Sequence, residues 1–134
     1  MRVVTQTFLN LPVKNLDKSI QFFTKLGFTF NPDFTDEKAT CMIINEHSFA
    51  MLLVEEYFET FSKLPISKGS REYILALSLT SRSEVDEMVK IALSSGGKPA
   101  NDAQDHGFMY SCSFLDPDDH LWEVFFMDAL PPKE

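Results

Sequence analysis

The densest run of groups able to do chemistry is Asp116-Pro117-Asp118-Asp119-His120-Leu121-Trp122-Glu123. Asp-Pro opens a type I turn with proline at its favoured second position, so this string launches a final strand. His120 and Glu123 are three apart on that strand. Alternation therefore sends their side chains to opposite faces, and the two cannot hold one ion inside a shared cleft. Trp122, opposite in direction to Glu123, belongs under the helices, while Asp119 is of a residue type that tolerates a left-handed turn conformation. A second cluster, Asp105-His106, reads either as an oriented acid/base dyad or as an Asx-type turn leading into a strand. His47 falls in the Asn45-Glu46-His47 turn, away from any sheet face. Cys41 and Cys112 are far apart within apolar strand patterns, with neither the density of a disulfide framework nor the close pairing of a zinc site.

The elements that must position these groups come in two rounds, residues 2–54 and 73–126, joined by a connector at 55–72. In the first round, Val3 to Val13 reads as a strand. The spacing of Leu16, Ile20, Phe23 and Leu26 predicts a helix over 16–26, capped by Asn15 and stopped by Gly27. Strands follow at Phe28–Phe30, Ala39–Ile44 and Ser48–Val54. In the second round, Tyr73–Leu79 reads as a strand and Ser81-Arg82-Ser83-Glu84 as a capping box. The box precedes an apolar helical stripe of Val85, Met88, Val89, Ala92 and Leu93 that Gly96 and Gly97 stop. Lys98–Ala100, Phe108–Phe114 and Leu121–Phe126 complete the strands. The connector holds a helical candidate, Glu56–Leu64, and reads as a lid or as a plain linker; Pro131-Pro132-Lys133-Glu134 reads as a frayed tail. A βαβββ unit has a sheet face it cannot cover alone, so two copies predict an α+β fold, one domain over 1–134 with a half-barrel cleft.

Composition narrows the function. The formal charge is −8, with 20 acidic against 12 basic residues, which disfavours nucleic acid and anionic membranes as partners. MRVVTQTFLN lacks the apolar core of a signal peptide, and no run approaches the ~18 apolar residues of a membrane span. A soluble cytoplasmic protein with reduced thiols is expected. The 13 phenylalanines make either an aromatic core or an aromatic ligand pocket.

Three strings carry a resemblance: Leu11-Pro12-Val13-Lys14-Asn15-Leu16-Asp17-Lys18-Ser19 before Phe22-Phe23, Leu26-Gly27-Phe28, and the Asp116 to Glu123 run. Together they resemble the vicinal oxygen chelate superfamily of glyoxalases, bleomycin and fosfomycin resistance proteins and extradiol dioxygenases, over nearly the whole chain. Gln104-Asp105-His106-Gly107-Phe108-Met109-Tyr110 is similar to a subgroup labelled predicted lactoylglutathione lyases. The resemblance implies a divalent metal held by His, Glu or Gln from four strands. Glu123 occupies the carboxylate position, but the other three fall on Phe8, Leu53 and Ile74. One carboxylate does not make a catalytic centre that takes about three protein ligands. His106 and Asn10 are what remains to complete a metal set around Glu123.

The reading that follows is a glyoxalase-like protein that binds a small oxygen-rich or aromatic metabolite. Phe8, Asn10, Leu53, Ile74 and Tyr110 contact the ligand, and Glu123 anchors it. If the protein is an enzyme, its chemistry is a lyase or isomerase proton abstraction with Glu123 as base and His106 as partner. The alternative is a non-catalytic protein that sequesters antibiotics. A homodimer is expected in either case.

Overall fold

A computed structural model describes residues 1–128; the Pro131–Glu134 tail lies outside the described residues. The chain forms two compact units that divide between Ser70 and Arg71, inside the expected connector.

The N-terminal unit runs β1 (Thr7–Val13), α1 (Leu16–Lys25), β2 (Thr29–Asn31), a 3₁₀ turn (Pro32–Phe34), β3 (Ala39–Ile43), β4 (Ser48–Val54) and α2 (Glu55–Glu59). Its sheet order is β1-β4-β3-β2, with β1 and β4 parallel and the other pairs antiparallel. The helix begins where Asn15 Oδ1 accepts from the Lys18 amide at 3.1 Å, satisfying one of the amides a helix start leaves unpaired. It ends in a Schellman closure. Gly27 takes φ +101°, its N–H donates to Thr24 O at 3.0 Å, and the Phe28 N–H reaches back to Phe23 O at 3.0 Å. That closure explains why β2 starts at Thr29 rather than Phe28: Phe28 is taken by the cap and packs its ring edge-on against Phe23 at 6.1 Å. The apolar stripe Leu16, Phe22 and Phe23 is buried, as are Leu11, Val13, Met42, Ala50 and Leu52 on one sheet face.

The C-terminal unit runs β5 (Leu75–Ser78), α3 (Arg82–Ser94), β6 (Lys98–Pro99), β7 (Gln104–Asp105), β8 (Met109–Leu115) and β9 (Leu121–Met127). Its order is β5-β9-β8-β6, with β7 also on β8, and β5 runs parallel to β9. Each unit therefore follows the βαβββ path, and the α+β expectation of two such modules holds. At the start of α3 the Ser81 hydroxyl accepts from the Glu84 amide at 3.1 Å. Glu84 returns the bond one residue early, to the Thr80 N–H at 2.8 Å and hydroxyl at 2.9 Å. Val85 and Ala92 are buried, whereas Leu93, expected in the core stripe, is exposed.

The end of β6 and the presence of β7 depart from expectation for one reason. β6 ends at Pro99 because the chain bulges over 100–103, where the Asn101 N–H donates to the Ser113 side chain at 2.8 Å instead of to a strand carbonyl. The chain rejoins β8 as β7, a strand whose residues Gln104 and Asp105 pair with Ser111 and Tyr110. Among the described residues no helix is long and apolar enough to cross a membrane.

Candidate functional site

The Asp116 turn sets the geometry of β9. Asp116 is 2% exposed, and its carboxylate accepts from the amides of Asp118 at 2.8 Å and His120 at 3.1 Å and from Trp122 Nε1 at 3.0 Å. Burial pushes this carboxyl above the usual carboxylate range, against the pull of His120 and of those donors. Asp119 takes the left-handed conformation expected of it, φ +65°. Its carbonyl accepts from Arg71 at 2.6 Å and its carboxylate pairs with Lys98 at 2.7 Å. The His120 ring stays with the turn, its Nδ1 3.4 Å from the Tyr73 hydroxyl.

From this anchor the strand alternates. Trp122 and Val124 are buried, and their cross-strand partners Phe114 and Cys112 share their face with Tyr110, whose hydroxyl donates to Asp86 of α3 at 2.6 Å. That face is the helix side. Glu123 points to the other side, opposite Ser113 on β8 and Ala76 on β5, and Phe125 beside it pairs with Ser111. Glu123 is half-buried, and among the described residues its carboxylate has no hydrogen-bond or ion-pair partner. Among the described residues no buried side-chain nitrogen or oxygen lacks a partner, so the Glu123 carboxylate oxygens are open to solvent and to a ligand.

Tyr110 must be moved out of the ligand contacts. It lies on the face opposite Glu123, bonded to Asp86, which pushes its phenol up to about 12. The Arg82 guanidinium sits 5.3 Å from its ring. Arg82 also donates to Asp105 at 2.8 Å and to the Gly107 carbonyl at 2.8 Å, and the Gly107 N–H donates to Asp105 at 2.9 Å. Of the two readings of Asp105-His106, the Asx turn is the one formed, and Arg82 holds the Asp105 carboxyl below the usual carboxylate range. His106 does not reach Glu123. Its N–H donates to Met109 O, four positions along β8 from Ser113, roughly 13 Å by strand rise, with β8 itself standing between. His106 is thus no partner to a Glu123 base. Arg82→Ala is expected to accelerate amide exchange at Asp105–Phe108 while β9 keeps its protection, measured by hydrogen–deuterium exchange.

Phe8, Asn10 and Leu53 come together on one face of the N-terminal sheet, opposite the Leu11 face. Phe8 and Asn10 pair with Phe49 and Met51, and Leu53 pairs with Pro12 and Ala39. Phe8, 48% exposed, stacks on Phe49 at 5.0 Å and 17°. Ile74 precedes β5 by one residue, keeps the parity of Ala76, and is exposed. Phe8, Leu53 and Ile74 offer only carbon, and among the described residues no three His, Cys, Asp or Glu side chains gather to hold a metal ion. The superfamily's metal centre does not fit this donor set. Ser111, not singled out from the sequence, joins Ser113 on the Glu123 face. The spacing was the available signal, because Tyr110 and Ser113, three apart on one strand, cannot share a face.

Residues 5–45 match the sequence model of a family described as bleomycin resistance protein-like N-terminal. Among solved structures, a hypothetical protein from S. aureus superposes with a TM-score of 0.80 at 25% identity, over 94% of this chain and 95% of that one. A glyoxalase-related enzyme from Fulvimarina pelagi gives 0.80 at 18% identity, over 95% and 91%. A glyoxalase/bleomycin resistance protein/dioxygenase family enzyme from Burkholderia phytofirmans PsJN gives 0.76 at 15%, over 90% and 96%. This is the fold of the vicinal oxygen chelate superfamily. No curated protein matches the chain. Phe8, Leu53 and Ile74, the positions where the resemblance implies metal ligands, carry only carbon in this chain.

Proposed function

We propose that the protein binds a small oxygen-rich or aromatic metabolite against the Glu123 face of its C-terminal sheet, with Glu123 as the polar anchor. One observation carries the reading: a half-buried carboxylate with no partner among the described residues, beside Phe125 and across from a serine. Where a ligand offers a C–H next to a carbonyl, Glu123 takes the proton and the electron pair moves onto the carbonyl oxygen. Ser113, whose oxygen already accepts from Asn101, keeps its own proton to donate. His106 has no part in this step. The edge positions of β1 and β5 in their sheets support a homodimer, the charge of −8 argues against nucleic acid, and free cysteines suit a cytoplasmic setting.

The test is native mass spectrometry of freshly purified protein, followed by titration of the copurified ligand into Glu123→Gln. Affinity should fall at least tenfold, about 1.4 kcal/mol, and unchanged affinity would overturn the proposal. The match at residues 5–45 favours a second reading, a protein that sequesters an antibiotic without turning it over. Micromolar saturation by a bleomycin-type compound in calorimetry supports that reading, and absence of heat removes it.

A further inference from the structure

The connector leaves apolar side chains in water that the N-terminal core does not use. α2 packs against β1 and β4. Past its end the Thr60 hydroxyl donates to Tyr57 O at 2.7 Å and the Phe61 N–H to Phe58 O at 3.0 Å. These bonds set the Phe61 ring edge-on against Tyr57 at 5.0 Å and 80°, yet Phe61 stays 69% and Leu64 76% exposed. An exposed apolar cluster rimmed by polar groups marks a surface for contact with another molecule. The rim here is acidic. Glu55, Glu56 and Glu59 outnumber Lys63, and in the neighbouring loop Asp33, Asp36 and Glu37 outnumber Lys38. That loop abuts the helix start, where the Val54 N–H donates to Lys38 O at 2.9 Å. Among the described residues Glu56 and Glu59 have no ion-pair partner.

Charge decides what covers this surface. Two of the chain's own lysines are already drawn onto it: Lys38 Nζ lies 5.7 Å from the Tyr57 ring centre, and Lys68 Nζ lies 3.5 Å from a Glu55 oxygen. Ring and carboxylate here both accept an ammonium group. Glu56, Glu59 and the exposed Phe61 ring offer the same two kinds of contact to a cation from outside. A second copy of this chain fits poorly, because a two-fold contact centred here brings the patch onto itself. Acid would then face acid in a chain of charge −8. We propose that α2 and the segment to Leu64 dock a cationic amphipathic segment of another protein, its apolar side chains on Phe61 and Leu64 and its lysines or arginines at Glu56 and Glu59. All four residues lie in the N-terminal unit, so this docking is independent of any ligand at Glu123.

Three peptides decide it, each titrated into the full chain and followed by amide chemical shifts: a leucine-lysine peptide patterned as an amphipathic helix, the same pattern with glutamate for lysine, and oligolysine. The leucine-lysine peptide is expected to move signals in residues 33–38 and 55–64 with an affinity about tenfold above that of oligolysine, and the glutamate peptide to move none. Phe61→Ser with Leu64→Ser should bring the leucine-lysine peptide down to the oligolysine affinity. Far-ultraviolet circular dichroism should stay unchanged in that variant, since both side chains are exposed in the folded chain. Glu56→Gln with Glu59→Gln should reduce the salt dependence of binding. Equal affinity of oligolysine and the leucine-lysine peptide for the native chain would leave only bulk charge attraction and overturn the proposal, as would shifts confined to other residues. A dimer in sedimentation that the Phe61→Ser, Leu64→Ser variant loses would assign the surface to a second copy. Flotation with neutral phosphatidylcholine vesicles, lost in the same variant, would assign it to lipid; either result overturns docking of a protein segment.

Discussion

Trp122→Ala is expected to remove about 4 kcal/mol of stability, and Trp122→Phe about 2 kcal/mol. The indole is fully buried, so truncation leaves a void that close packing cannot refill. With native domains stable by roughly 5–15 kcal/mol, the alanine variant would sit near the edge of folding. Phenylalanine keeps most of the ring but removes the Nε1 donor, leaving the buried Asp116 carboxylate with its two backbone donors.

The pH dependence of the Trp122→Phe loss has a definite sign. Burial raises the Asp116 carboxyl in the folded state. Its favourable contribution is therefore fully present below the ordinary carboxylate value and is lost as pH rises through the raised one. The indole donor opposes that loss by stabilising the charged form, so removing it costs more at pH 7 than at pH 4. Urea unfolding followed by far-ultraviolet circular dichroism at the two pH values measures the difference; equal losses at both would show that the indole does not stabilise the charged carboxyl.

Phe23→Ala is expected to cost about 4 kcal/mol in the N-terminal unit. Phe23 is 1% exposed and meets two rings edge-on, Phe22 at 4.9 Å and 87° and Phe28 at 6.1 Å and 70°. The Phe28 contact is the apolar half of the Schellman closure, joining the residue after Gly27 to the helix's last turn. Loss of Phe23 therefore empties the core and loosens the helix end together. Edge-to-face pairs contribute about 0.5–1.5 kcal/mol beyond area burial. A double-mutant cycle of Phe23→Ala with Phe28→Ala should return a coupling of about that size, and zero coupling would show that the cap holds by its backbone bonds alone.

How much of this could be read from the residues depended on whether a feature was local. The duplicated βαβββ path was legible because helix periodicity, Asn15 and Ser81 at the starts and Gly27 and Gly96 at the stops all act within one turn of chain. The direction of Glu123 and Trp122 followed from strand alternation. What failed was set by distant partners. β2 lost Phe28 to the helix cap, and the 100–103 bulge exists because a serine on the next strand answers the Asn101 amide. The connector helix stops at Glu59 instead of Leu64. The Thr60 hydroxyl and amide both bond to the Tyr57 carbonyl, drawing off an acceptor the next helical turn needs. For the site, the separation of His106 from Glu123 is a matter of register along β8, which spacing in the chain does not reveal.

In each sheet the strand made last lies in the interior: β4 between β1 and β3, and β9 between β5 and β8. During synthesis the earlier strands must wait with unfilled edges until the missing one slots between them. The N-terminal sheet can close before β5 exists, while the C-terminal sheet assembles only once β9 is available, carrying Trp122 and Glu123 with it. Consolidation of that half and placement of Glu123 on its sheet face are a single event.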